Sequence, residues 1–200
     1  MKTKTRLFIP ALIGLIILGA LAGGIWHWYD NNVDRSGWVE KDGVRYYRDF
    51  HADPVSGWLT LDEGTYLFQK GGIPYTGWQE IDGNTYLFDE SGVLTTGWKE
   101  LDSSIYYFGN DGIMASGWQE LDGKRYYFGG NGTMVVGWLW LEEGRYYMLD
   151  GVMATGWQTI DEKQHHFAEN GTMSFGFTEI DGETFYFDSE GTMATGIVNI

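Results

Sequence analysis

The sequence predicts an all-β fold, a solenoid of stacked β-hairpins in repeats of about 20 residues, preceded by one hydrophobic helix. Three observations carry this. Gly-Trp recurs at Gly37-Trp38, Gly57-Trp58, Gly77-Trp78, Gly97-Trp98, Gly117-Trp118, Gly137-Trp138 and Gly156-Trp157, with weaker copies at Gly176-Phe177 and Gly196-Ile197. Asp-Gly separates alternating segments at Asp42-Gly43, Asp82-Gly83, Asp122-Gly123 and Asp181-Gly182. That dipeptide suits a two-residue hairpin turn, because both central residues of a type I′ turn take positive φ. An aromatic run such as Tyr126-Tyr127-Phe128 closes the second strand, and a Gly-x-Met tail such as Gly132-Thr133-Met134 follows it.

The chain begins with Lys2, Lys4 and Arg6, then an apolar run from Leu7 to about Trp26. Residues 1–29 read as a signal peptide or an N-terminal transmembrane anchor. Ala20-Leu21-Ala22 before Gly23 offers a small-x-small cleavage site. The run is also long enough to span a bilayer, with Trp26, Trp28 and Tyr29 where an interfacial belt belongs. The aromatic belt sets the uncleaved anchor slightly ahead; either outcome displays the remainder at the cell surface or outside the cell. Residues 30–36 form a polar linker, and 37–200 hold eight units plus a terminal stub.

Within a unit, Asp-Gly sites should make tight turns. Glu63-Gly64, Ser103-Ser104, Glu143-Gly144 and Glu162-Lys163 stand in their place elsewhere and should be looser. Gly72, Gly92, Gly112, Gly132, Gly151, Gly171 and Gly191 mark the loops that reverse the chain again. Strand alternation puts Tyr126 and Phe128 on one face and Tyr127 with Arg125 on the other. The first face is assigned to the core, with Leu61, Ile81, Leu101, Leu121, Leu141, Ile160 and Ile180 from the first strands. The second face is read as half-exposed. One hairpin buries too little to hold itself, so neighbours must supply the rest. Lys41, Arg48 and Pro54 in the first unit, and the stub ending at Ile200, fit capping.

A formal net charge of −15 argues against nucleic acid, since no basic patch is present to neutralise phosphates. It favours a cationic or neutral ligand. Cysteine is absent, which removes disulfides and thiol chemistry. No cofactor is implied.

Units such as GWQEIDGNTYLFDESGVLTT and GWQELDGKRYYFGGNGTMVV resemble the cell-wall-binding repeats of Gram-positive bacteria and their phages. That family includes choline-binding modules, glucan-binding repeats and the repetitive regions of clostridial toxins. The resemblance covers about Gly37 to Ile200. It implies a left-handed hairpin solenoid with ligands held between hairpins by aromatic side chains. The partner it implies is a cell-wall polysaccharide, a glucan or teichoic-acid-linked choline. Choline-binding units of this kind carry a Trp before the Tyr-Tyr pair. Here that position holds Arg45, Thr65, Thr85, Ile105, Arg125, Arg145, Gln164 and Thr184, so choline ranks below a carbohydrate.

The ligand-binding candidates are Trp98, Trp118, Trp138, Trp157, Tyr107, Tyr127, Tyr147 and Tyr186. Each tryptophan has two competing roles, packing hairpin on hairpin or stacking on ligand. Leu67 and Leu87 replace the tyrosine in units two and three, which should weaken those sites. Glu40, Glu80, Glu100, Glu120 and Glu179 recur in the repeat, whereas an active site is assembled once; they read as a solvated face, not a catalytic pair. His165-His166 point to opposite strand faces and cannot chelate one metal. The loops at Asp89 and Asp188 lack calcium-site spacing and read as turns. The expectation is a non-catalytic binding module. The competing role is a structural spacer or a stalk that binds a protein partner. N-terminal sequencing of the mature protein checks the anchor: a chain starting at Gly23 overturns it.

Overall fold

Each repeat folds as the hairpin its turn demands. The computed structural model describes residues 35–195. The hydrophobic helix expected in 1–29, most of the 30–36 linker and the stub at Gly196-Ile197 lie outside them.

The described chain is all-β. The first hairpins are β1 (Gly37–Lys41) with β2 (Val44–Arg48), β3 (Gly57–Leu61) with β4 (Gly64–Phe68), and β5 (Gly77–Ile81) with β6 (Asn84–Phe88). Then come β7 (Gly97–Leu101) with β8 (Ser104–Phe108), and β9 (Gly117–Leu121) with β10 (Lys124–Phe128). The sixth hairpin pairs β11 (Gly137–Leu141) with β12 (Gly144–Leu149) and is followed by β13 (Val152–Met153). The last two are β14 (Gly156–Ile160) with β15 (Lys163–Phe167), and β16 (Gly176–Ile180) with β17 (Glu183–Phe187). The Gly-Trp tryptophan faces the second residue of the triplet, as in Trp118↔Tyr127 and Trp138↔Tyr147, and in Trp78↔Leu87 where leucine replaces the tyrosine.

The turns follow the Asp-Gly expectation, with one correction. Asp122 and Gly123 have φ of 51° and 72°, and Asp42-Gly43, Asp82-Gly83 and Asp181-Gly182 behave alike. The turns expected to be looser in units four and seven keep this geometry, one residue earlier than expected. Asp102-Ser103 take 48° and 64°, and Asp161-Glu162 take 49° and 65°. Aspartate tolerates the left-handed region, and the paired strands force Ser103 and Glu162 to follow it. Only in units two and six do the turn residues, Asp62-Glu63 and Glu142-Glu143, avoid positive φ.

The described residues fall into two compact units, 35–57 with 68–73, and 58–67 with 74–195. In the first, Trp38 and Tyr47 lie 5.7 and 5.8 Å from Phe68, and Tyr47 N–H donates to the Gly72 carbonyl. In the second, every hairpin packs on the next. Phe88, Phe108, Phe128, Met148, Phe167 and Phe187 are buried almost completely. The tryptophan of the hairpin before covers them: Trp98 sits 5.9 Å from Phe128 and Trp157 5.8 Å from Phe187.

This corrects the face assignment. The Tyr126/Phe128 face is core, as expected, but the Trp118/Tyr127 face is also covered, by Tyr146 and Met148 of the next hairpin. Leu61, Ile81, Leu101, Leu121, Leu141 and Ile180 are only half-buried, and Ile160 alone of that set is buried. A two-stranded ribbon has two faces, and stacking on both sides uses both.

The return loops lock this stack. Met134 N–H donates to the Ile105 carbonyl one hairpin back, as Met114 does to Thr85 and Met173 to Arg145. Gly132 then sits directly on Met114: a Cβ there would lie 2.2 Å from its Sδ, and φ is 79°. After the sixth hairpin the period is one residue shorter. Asp150 and Gly151 make a tight turn, and Val152 pairs with both Leu149 and Tyr126, giving a five-stranded sheet.

These geometries separate two kinds of glycine. Gly132→Ala should cost about 3 kcal/mol, because it combines a left-handed backbone with overpacking. Gly123→Ala, with open space around its Cβ, should cost only about 1 kcal/mol. Glu162→Gly should gain roughly 0.5–1 kcal/mol, the relief of left-handed strain less the added unfolded-state entropy. Denaturant midpoints of the three variants check the order; equal losses for the two alanine variants would contradict it.

Candidate functional site: clefts between hairpins

An aromatic contact recurs at each junction in the second unit. It joins the tryptophan of one hairpin to the first aromatic of the next triplet. The pairs are Trp58–Tyr86, Trp78–Tyr106, Trp98–Tyr126, Trp118–Tyr146, Trp138–His165 and Trp157–Phe185, with ring centroids 4.9–5.4 Å apart. Most are edge-to-face, so each tryptophan keeps part of one face free. Trp58, Trp78, Trp98 and Trp157 remain exposed despite these contacts. Packing and solvent exposure therefore coexist on one ring.

All four predicted tryptophans, Trp98, Trp118, Trp138 and Trp157, sit at such junctions. Tyr107, Tyr127 and Tyr147 lie edge-on beside the tryptophan of their own hairpin, at 5.0–5.1 Å. Tyr107 and Tyr147 also pack on the next hairpin's Phe128 and Phe167, and Tyr127 packs in the cluster around Met148. Tyr186 faces Phe177 at 5.0 Å on the last described hairpin. The facing walls Tyr86, Tyr106, Tyr126 and Tyr146 were missed as cleft residues, because strand alternation alone assigned them to a core. Leu67 and Leu87 are buried, so they serve the stack.

Two arginines lie over Gly-Trp rings, and a third does not. The Arg125 guanidinium lies 4.7 Å from the Trp118 ring centroid, and Arg45 lies 3.7 Å from that of Trp38. Arg145 turns away, 5.1 Å over Phe175, and donates to the Ser189 carbonyl. Burial pushes the Tyr146 hydroxyl above its ordinary value, Glu143 adding to this and Arg125 opposing it.

The junction of the sixth and seventh hairpins differs from the rest. It opens a cleft of about 200 Å³ bounded by Trp138, Trp140, Arg145, His165, Met173 and Thr192. Trp140 stands where the other first strands carry Glu or Thr, and it is 71% exposed. His165 is 4% exposed, yet its Nδ1 has no hydrogen-bond partner, and neither has the buried Oγ1 of Thr192. Each such orphan costs about 1–3 kcal/mol. Averaged over the repeats, this strand position is one solvated glutamate face, which hides Trp140.

Elsewhere the polar groups are satisfied locally. Asp89 accepts from the N–H groups of Ser91 and Val93, and Asp188 from those of Glu190 and Thr192, which are ordinary turns. Among the described residues no group of His, Asp and Glu is placed to hold a metal ion.

Comparison with known proteins bears on what such clefts are. Residues 75–116 match the choline-binding repeat family, and residues 116–134, 155–173 and 176–193 match the cell wall binding repeat family. Choline binding protein F from Streptococcus pneumoniae, solved in the presence of a peptidoglycan analogue, is similar at 31% identity and a TM-score of 0.71. The alignment covers 76% of this chain and 57% of that protein. The chain carries repeats of the choline-binding, cell-wall-binding family.

CbpJ from Streptococcus pneumoniae TIGR4 is similar at 29% identity and a TM-score of 0.71, over 80% of this chain and 64% of that one. The choline-binding domain of CbpL from Streptococcus pneumoniae shares the fold, at 24% identity and a TM-score of 0.58, over 80% of this chain and 86% of that domain. This chain thus spans less than two thirds of the first two proteins. No curated protein sequence matches it.

Within these choline-binding-type repeats, His165-His166 replace the Tyr-Tyr pair. His165 faces Trp138 and His166 faces Trp157, on opposite sides of the strand, as alternation requires. Burial holds His166 below the ordinary histidine value of 6.5, Asp181 partly offsetting it, while Nδ1 bonds Ser174 Oγ at 2.9 Å. The folded state therefore binds this proton less readily than the unfolded chain. Its stabilising share is complete above 6.5 and is lost as pH falls through that value toward the lower folded one. His166→Tyr, the residue of the neighbouring hairpins, should flatten the fall in melting temperature between about pH 7 and about pH 5. An unchanged slope would show that other groups carry it.

Proposed function

We propose that this chain is a non-catalytic, surface-displayed module that binds a cell-wall carbohydrate polymer. One observation carries the reading: a tryptophan in contact with the next hairpin's aromatic recurs at each junction of the second unit, spaced by one repeat, and Trp58, Trp78, Trp98 and Trp157 stay exposed there. A polymer that repeats along its length meets several such rings at once, and weak contacts then sum by avidity. The family matches and the peptidoglycan analogue in the structure of choline binding protein F support the same target. The recurrent glutamates Glu80, Glu100, Glu120 and Glu179 are exposed strand residues and support binding over hydrolysis. A purely structural stalk is less favoured, because it has no use for exposed Trp58, Trp78, Trp98 and Trp157. A cell-surface or extracellular location follows from the target, with residues 1–29 as anchor or signal peptide.

A second reading, choline on the wall polymer, is favoured by the net charge of −15 and by the family. Against it, Arg45 and Arg125 already lay a cation over Trp38 and Trp118. A quaternary ammonium would meet repulsion at both rings.

Retention of a fragment of residues 30–200 on purified cell walls and on α-glucans tests the proposal. Walls should retain it, and free sugar should elute it better than choline. Removing hairpins from the C-terminal end should weaken retention more steeply than in proportion to the clefts lost. Equal retention of fragments with one cleft and with five would refute the avidity mechanism, and elution by choline alone would install the second reading.

A further inference from the structure

We propose that the outer edge of β11 pairs with the same edge of a second copy of this chain, antiparallel and two-fold about Leu139. The inference is independent of the carbohydrate reading, because it rests on backbone groups and on one strand that departs from its sisters.

β11 and β9 are the two outer strands of the five-stranded sheet. The carbonyls of Arg145 and Tyr147 in β12 turn away from β11, since they accept from the N–H groups of Met173 and Ala154. Trp140↔Arg145 and Trp138↔Tyr147 are therefore the wide pairs of this hairpin. In such pairs the N–H and C=O of each residue point away from the partner strand, so those of Trp138 and Trp140 point out from the sheet edge. Neither residue makes a backbone hydrogen bond to another segment among the described residues.

An open edge of this kind is ordinarily blunted by charge. The fourth residue of the other first strands is Glu40, Glu80, Glu100, Glu120 or Glu179, or else Thr60 or Thr159. On β9, the opposite edge of the same sheet, exposed Glu120 stands guard. On β11 that place holds Trp140, which is 71% exposed. The run from Met134 to Leu141, MVVGWLWL, contains no charged residue and no Ser, Thr, Asn or Gln. An uncharged run of β-formers without Pro is a template for strand pairing when it lies on an edge.

The strand is its own complement. With the two-fold at Leu139, Trp138 lies opposite the partner's Trp140, and Trp140 opposite the partner's Trp138. Each of these pairs exchanges both of its N–H···O=C bonds, so the outward groups of both residues are satisfied together. Glu142 falls opposite the partner's Val136, so the acidic tips do not face each other although each chain carries a charge of −15. The same two-fold on β9 would press Glu120 against the partner's Trp118 and desolvate a carboxylate without a counter-charge. The observations thus single out β11, and symmetry supplies a matching strand without any foreign sequence. The contact is one five-residue strand, small beside the roughly 1,200–2,000 Å² of stable interfaces, so the dissociation constant should be on the order of 100 μM. Under the proposed function, pairing would bring two arrays of exposed tryptophans to one polymer.

Sedimentation equilibrium of the full chain, in a non-ionic detergent and from about 10 to about 500 μM, brackets the expected constant. Trp140→Glu restores the residue of the sister hairpins at this exposed position. Thr60→Glu adds the same charge at the same position of the second hairpin. The wild-type chain and Thr60→Glu should dimerise alike, whereas Trp140→Glu should weaken the dimer at least about tenfold. Hydrogen exchange on the wild-type chain reads the register. The amides of Trp138 and Trp140 should slow as concentration rises, whereas that of Leu139, already bonded to β12, should change little. A chain that stays monomeric throughout, a dimer that Trp140→Glu leaves intact, or one that Thr60→Glu weakens equally would overturn the proposal. So would concentration-dependent protection that spares Trp138 and Trp140.

Discussion

A two-residue-turn hairpin has no interior, and everything in this chain follows from how each hairpin borrows one from the next. Phe128 reaches 0% exposure only because Trp98 and Tyr107 of the preceding hairpin close over it. Trp118 and Tyr127, on the opposite face of the same ribbon, do the same for Tyr146 and Met148. Lone hairpins are marginal in water, and this mutual coverage is what lets five-residue strands persist. The loops add a second, steric clasp, with Gly132 seated on Met114 and Met134 bonded back to Ile105.

Under the proposed function, that constraint places binding and stability on the same atoms. The tryptophan approaches its neighbours edge to face, which leaves part of the ring uncovered. The tryptophan contact recurs at each junction of the second unit, so it belongs to the repeat. Selectivity has to come from the positions that the stack leaves free, chiefly the residue before the triplet and the one cross-strand from it. Glu120↔Arg125, Glu100↔Ile105, Glu80↔Thr85 and Trp140↔Arg145 fill that pair differently in successive hairpins. The junctions are thus one frame with different linings.

Much of this was legible in the sequence, because period, turn and loop requirements are local. Asp122-Gly123 and Gly132-Thr133-Met134 each state a backbone need within a few residues. The turn at Asp161-Glu162 was misplaced because glutamate is a poor left-handed residue, and the register that forces it there is set by the paired strands. The second covered face was misread for a related reason. A half-polar face such as Arg125/Tyr127 looks solvated in one repeat, and its burial comes from residues about 20 positions further on. Repetition singles out the tryptophans, whereas strand alternation alone puts Tyr126, the contact partner of Trp98, on the core face.

Repetition is also why the sixth junction was invisible. A pattern read by averaging over units treats Trp140 as a faulty glutamate and His165 as a faulty tyrosine. They are 25 residues apart along the chain, and only stacking brings them to one cleft with Thr192, from the loop after the eighth hairpin. Each departure costs something where it stands: an indole held in water, and a buried imidazole nitrogen and a buried hydroxyl without partners. Unrelated departures would have no reason to share a cleft, and a buried polar orphan is ordinarily removed by the same packing that makes it. Together the three set this junction apart from the others of the second unit. In a repeat protein, then, the consensus explains how the chain stands, and the residues that break it at one place indicate what it holds.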